Sequence, residues 1–207
     1  MTRVKICGVT TPADVRMVAE AGADAVGLNF YPQSPRHVSP QSAAEMIRAL
    51  PPFIASIGIF VNVPLRQACA IAFQLGLRGI QTVDDRPQSD DAFPFAHIPA
   101  FRVKDKDDLP AIREFVAKCK PAAVLIDSHV PGRMGGTGVT APWHVLAGFD
   151  PGVPLILAGG LTPDNVADAI RIVKPWGVDV ASGVESSPGV KDPAKVRDFL
   201  SAVRSVS

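Results

Sequence analysis

Aromatic side chains are scarce in this chain: 6% of 207 residues, with one tyrosine and two tryptophans. Net charge is nearly absent as well, at a formal +1. Together these exclude the basic, aromatic-interleaved footprint of a nucleic-acid binder and the acidic composition of a solvating tail. Anionic ligands, if any, have to be held by local groups. The chain has only three cysteines, Cys7, Cys69 and Cys119, an odd number without CxxC spacing. A disulfide framework and a cysteine metal site are therefore not expected. The histidines, at 37, 97, 129 and 144, show no ligand spacing, and no metal is expected. The amino-terminal MTRVKICG has no apolar h-region and no apolar run approaches the length of a membrane span, so a reduced, cytoplasmic protein is expected. Neither GK[ST] nor GxGxxG occurs, which removes the P-loop and dinucleotide fingerprints.

What is present is a repeating alternation of short apolar strands and helical stretches. Ala123 to Ile126, AVLI, is apolar throughout with two β-branched residues, as in a parallel strand covered on both faces. Comparable runs occur at Val4–Ile6, Ala25–Leu28, Ala55–Phe60, Gly79–Thr82, Ala100–Val103, Leu155–Ala158 and Gly177–Val180. Helices are expected between them, several opened by a Thr-Pro, Ser-Pro or Asp-Pro pair, at 11–12, 39–40, 162–163 and 192–193. Residues 84–99 are polar and proline-rich, with room for one short helix at most. Eight strand-helix units in one domain, residues 1–207, predict an α/β fold of the (β/α)₈ TIM-barrel type.

In such a barrel, chemistry sits at the carboxyl ends of the strands. Cys7 and Asp127 stand there after the first and sixth strands, an acid-base pair in outline. A packed thiol and a turn aspartate fit the same positions. Gly132, Gly135, Gly136 and Gly138 follow Asp127 as a glycine-rich loop. Gly159-Gly160 after the seventh strand and Ser182-Gly183 after the eighth match the two loops that hold phosphate in many barrels. Arg36, between Pro35 and His37 in the loop after the second strand, could hold a carboxylate in a bidentate contact or be a solvated cation.

Six segments appear in order: KICGVT from Lys5, NFYPQSPR from Asn29, IDS from Ile126, GGTG from Gly135, LAGGLTPDNV from Leu157 and GVDVASGVE from Gly177. This ordered set resembles the phosphoribosylanthranilate isomerase family of tryptophan biosynthesis, a family of (β/α)₈ barrels. The resemblance implies a cofactor-free Amadori rearrangement of a phosphosugar; monomer and homodimer are both open. It implies Cys7 as general base, Asp127 as general acid, Arg36 as anchor for the anthranilate carboxylate, and Asp179 near the sugar hydroxyls. It further implies Gly159, Gly160, Ser182 and Gly183 as phosphate-binding residues. Two segments depart from the family: Gln81-Thr82-Val83-Asp84 stands where QLHG is common, and Ala141-Pro142-Trp143 where Phe-Asp-Trp is. The related isomerase of histidine synthesis has aspartate at the base position, and Cys7 argues against it. A silent phosphosugar-binding barrel is the remaining alternative.

Overall fold

The computed structural model of the chain describes residues 1–84, 94–127 and 143–206. Eight parallel strands close into a barrel in sequence order: β1 (Arg3–Cys7), β2 (Ala25–Asn29), β3 (Ala55–Val61), β4 (Gly79–Val83), β5 (Ala96–Arg102), β6 (Val124–Asp127), β7 (Leu155–Ala158) and β8 (Gly177–Val180). The expected (β/α)₈ architecture is therefore the observed one.

Strand alternation and register sort the barrel residues into two sets. Val4, Ile6, Val26, Leu28, Phe60, Ile80, Val124, Ile126, Leu157, Val178 and Val180 turn outward into the main core beneath the helices. Ile57, Ile98, Leu125, Ile156 and Ala158 turn inward and form a second cluster along the axis. Traced around the barrel, the pairings Cys7↔Gly27, Gly27↔Ile57, Ile57↔Gly79, Gln81↔Ile98, Ala100↔Leu125, Leu125↔Ile156, Ile156↔Gly177 and Lys5↔Asp179 stack the inward residues in layers of four from alternate strands. Asn29, Val83, Asp127 and Ala181 ring the mouth. Below them come Cys7, Ile59, Ala100 and Ala158, then Gly27, Gln81, Leu125 and Asp179, then Lys5, Ile57, Ile98 and Ile156. Polar chemistry is concentrated near the mouth, and the lower axis is aliphatic except for Lys5.

Helices α1 (Pro12–Ala21), α2 (Pro40–Arg48), α3 (Leu65–Leu75), α4 (Leu109–Cys119), α5 (Trp143–Leu146), α6 (Val166–Val173) and α7 (Pro193–Arg204) cover the barrel. Three of the four expected proline starts hold. Thr11, Ser39 and Asp192 each accept a backbone N–H from the first turn of α1, α2 and α7, with proline at the first helical position. The fourth does not: α6 begins at Val166 rather than after Thr162-Pro163. Asn165 is the reason. Its Oδ1 accepts the Thr162 N–H at 2.8 Å and its Nδ2 donates to the Gly160 carbonyl at 3.0 Å, holding residues 160–165 as a separate turn.

The fifth strand starts at Ala96, not Ala100. Pro99 obscures it in the sequence, yet its missing N–H is tolerated in a strand whose inward residues are Ile98 and Ala100. Residues 185–191 form a small antiparallel hairpin, β9 (Glu185–Ser187) and β10 (Val190–Lys191). The short helix expected within 84–99 and the glycine loop at 132–138 fall largely or wholly outside the described residues. Among those that are described, no helix is long and apolar enough to cross a membrane.

Candidate active site at the carboxyl ends of the barrel strands

Cys7 ends β1 and Asp127 ends β6, so both stand at the mouth, each partly exposed. Beside the cysteine, a Cβ on Gly27 would come within 3.1 Å of the Cys7 sulfur, so the glycine of β2 leaves the thiol its space. Burial pushes the Cys7 thiol above its ordinary pKa; the Lys5 ammonium pulls it back, Asp179 pushes it up again, and Lys191 pulls it down.

Arg36 reaches the same mouth through a loop that fixes its own shape. Asn29 Oδ1 accepts the Tyr31 N–H at 2.9 Å, and its Nδ2 donates to Ser34 Oγ at 3.1 Å. Ser34 Oγ in turn accepts the Arg36 backbone N–H at 3.1 Å. Gly8 completes the arrangement: its φ is +72°, and a Cβ there would overlap the Arg36 side chain. The aliphatic stem of Arg36 therefore packs over the turn after Cys7.

The sequence did not reveal what the guanidinium holds. Arg36 Nε and Nη2 donate to Glu185 Oε1 and Oε2 at 2.8 and 2.7 Å, a bidentate fork. Lys191 Nζ donates to Glu185 Oε1 at 2.7 Å, and the Lys191 side chain is fully buried. Burial raises the Glu185 carboxyl, but hydrogen bonds from Arg36 and Lys191 bring it below its ordinary pKa. The Arg36 pKa is raised, chiefly by the hydrogen bonds to Glu185. Since an arginine carries five N–H donors, a fork to Glu185 leaves others for a ligand. The 185–191 hairpin reaches this position because Thr10 Oγ1 donates to the Gly189 carbonyl at 2.8 Å.

Asp179, from β8, lies one layer below Cys7 and is buried. Its Oδ1 accepts from Lys5 Nζ at 2.7 Å, with both side chains less than 10% exposed, at 7% and 8%. The carboxylate thus has an internal partner. Lys5 is accounted for by strand alternation, since it shares the face of Cys7; Glu185 and Lys191 have no local signal, because their partner Arg36 is 149 residues away from Glu185.

The two glycine loops meet. Gly159 and Gly160, after β7, both take positive φ, 92° and 65°. Ser182 and Gly183 open a 3₁₀ turn after β8. A Cβ on Gly183 would overlap the Leu161 carbonyl oxygen, so the loops approach at backbone distance. In the altered strand-four segment, Thr82 turns outward and its Oγ1 lies 3.0 Å from His97 Nε2, while Val83 joins the ring at the mouth. That wall presents an aliphatic side chain, Val83, at the mouth.

The arrangement offers a thiol and a carboxyl at one rim, an arginine whose stem packs on the turn after the thiol, and a glycine-lined loop pair. A family model for N-(5'-phosphoribosyl)anthranilate (PRA) isomerase matches residues 4–202. The N-(5'-phosphoribosyl)anthranilate isomerase of Geobacter sulfurreducens is 48% identical, over 97% of each chain. Among solved structures, the phosphoribosyl anthranilate isomerase of Thermotoga maritima superposes with a TM-score of 0.89 at 34% identity, covering 99% of this chain and 100% of that one. A phosphoribosyl anthranilate isomerase in complex with reduced 1-(o-carboxyphenylamino)-1-deoxyribulose 5-phosphate gives 0.86 at 33%, with 99% and 100% covered.

Proposed function

From the premise that the chain belongs to the N-(5'-phosphoribosyl)anthranilate isomerase family, we propose that Cys7 and Asp127 carry the proton transfers of its reaction. The enzyme is an isomerase of tryptophan biosynthesis, and the reaction is the Amadori rearrangement of N-(5'-phosphoribosyl)anthranilate to 1-(2-carboxyphenylamino)-1-deoxyribulose 5-phosphate. Asp127, as the protonated carboxyl, gives its proton to the furanose ring oxygen. The amine lone pair forms the C1′=N bond as the C1′–O bond breaks, leaving an open-chain iminium. This iminium acidifies the C2′ hydrogen. The Cys7 thiolate takes that proton, and the released electron pair forms the C1′=C2′ bond of an enolamine, which tautomerises to the ketone.

Around these two groups the remaining residues bind. The donors of Arg36 left free by Glu185 take the anthranilate carboxylate. Asp179 borders the sugar hydroxyls. The backbone N–H groups of Gly159, Gly160, Ser182 and Gly183 hold the phosphate, which the close approach of the β7 and β8 loops favours. Residues 1–207 act as one domain, in the cytoplasm, as a monomer or homodimer, on a small phosphosugar and with neither nucleic acid nor membrane as partner.

The observation that carries the assignment is the meeting of Cys7, Asp127 and the Arg36 guanidinium at one mouth, from strands and loops far apart in sequence. Asp127→Ala tests it. A positioned acid contributes about 10²–10⁴ in rate, so turnover should fall at least about 100-fold with the melting temperature retained. A loss below about fivefold would remove Asp127 from the acid role.

A further inference from the structure

The inward layer that contains Lys5 is otherwise isoleucine: Ile57, Ile98 and Ile156. A lysine in an aliphatic layer of a barrel is expensive. The effective cost of burying an ammonium is several kcal/mol, and even a well-paired buried ion pair is commonly no more stabilising than apolar residues of the same volume. Fold stability therefore does not account for Lys5. Its surroundings do: Asp179 Oδ1 lies 2.7 Å from Nζ, and Cys7 stands two residues further along the same face of β1. Two residues of parallel strand rise about 6.6 Å, a span that the four-carbon stem of lysine covers.

We propose that Lys5 is a positioning residue of the reaction, its ammonium held by Asp179 beneath the Cys7 sulfur so that it stabilises the thiolate that takes the substrate proton. This rests on the reading of Cys7 as the base. The charged groups acting on that sulfur are Lys5 and Asp179 from below, and Lys191 and Arg36 from the rim. The last two share Glu185, at 2.7 and 2.7 Å, and their charge is committed to it. Lys5 exerts the largest downward pull on the thiol, ahead of the opposing push of Asp179. Burial works against the Lys5 charge, but attraction to Asp179, then to Cys7, raises its pKa above the ordinary value. The ammonium is thus present across the range in which a thiol titrates.

The test is the pH dependence of Cys7 alkylation by iodoacetamide, read by mass spectrometry on the Cys7 peptide so that Cys69 and Cys119 do not contribute. The alkylation midpoint of K5M should rise by about one pH unit or more, and K5R should hold it within about half a unit of the wild type. If K5M does not fold because Asp179 is left buried without a cation, K5M/D179N removes both charges, and its midpoint should also rise. The acid limb of kcat/KM should move with the thiol in each variant. A midpoint in K5M/D179N within about 0.3 units of the wild type overturns the proposal. Failure of the premise is separable: Cys7→Ser with near-normal turnover would remove the base, whereas the alkylation midpoints report the hold of Lys5 on the thiol in either case.

Discussion

Glu185→Ala should be among the most damaging single substitutions in the molecule, although Glu185 performs no proposed chemical step. The side chain is 4% exposed and accepts two hydrogen bonds from Arg36 and one from Lys191, whose own side chain has no exposure at all. Truncation leaves Lys191 a buried cation with, among the described residues, only the Ala181 carbonyl, at 3.2 Å, as partner. Removing one member of a buried pair costs about 3–5 kcal/mol. With an unfolding entropy of about 2.1 cal/mol/K per residue, a chain of this length loses roughly 7–12 °C in Tm. Thermal unfolding monitored by circular dichroism at pH 7.5 reads the difference, and Glu185→Gln, which keeps the shape without the charge, should fall between. The gap should also close in acid. The folded-state pKa of Glu185 lies below its unfolded value, so its contribution is present above the unfolded pKa of about 4.5 and is lost as pH falls through the lower folded one. A loss of less than about 2 °C at pH 7.5, or a gap that stays constant from pH 7 to pH 3, would refute this account of the cluster.

Other parts of the barrel lead to two more expected outcomes. Gly183→Ala places a methyl against the Leu161 carbonyl; the β7 and β8 loops must separate, and KM should rise at least about tenfold with kcat less affected, since uniform binding of the phosphate is what is lost. Equal KM in the variant and the wild type would exclude these loops as the phosphate site. His97 is buried, and its pKa is lowered to about 4 by desolvation. It is neutral in the fold, and stability should decline as pH falls from about 6.5 towards 4, by about 2 kcal/mol at pH 5 relative to pH 8. His97→Asn should flatten that part of the denaturation profile, and an unchanged slope would contradict it.

Much of the site was legible in the sequence, for identifiable reasons. Cys7, Asp127 and the two glycine pairs each stand at or just past the end of a short apolar strand. Their order gives the order of the rim, because the mouth of a parallel barrel is built from the carboxyl ends of its strands and the loops attached to them. Lys5 was accessible by alternation with Cys7, but a charged residue inside a five-residue strand reads as an edge feature until a closed barrel makes that face interior. Glu185 and Lys191 could not be reached, since the hairpin carrying them finds Arg36 only through the fold. The fifth strand was shortened by Pro99, whose propensity is overridden by its register with Thr82. The helix after the seventh strand was begun early because Thr162-Pro163 is a good start on local grounds, whereas Asn165 closes that turn by side-chain bonds that spacing does not disclose.

The central claim is an isomerase of phosphoribosylanthranilate whose base is Cys7, and anthranilate fluorescence tests it most directly. Phosphoribosylanthranilate is generated in situ, and its loss is monitored after addition of the wild-type protein or Cys7→Ser. Rapid loss with the wild type and a rate at least about 100-fold lower with the folded variant is the predicted result. Comparable rates in the two would contradict the role of Cys7, and no loss with folded wild type would contradict the activity itself.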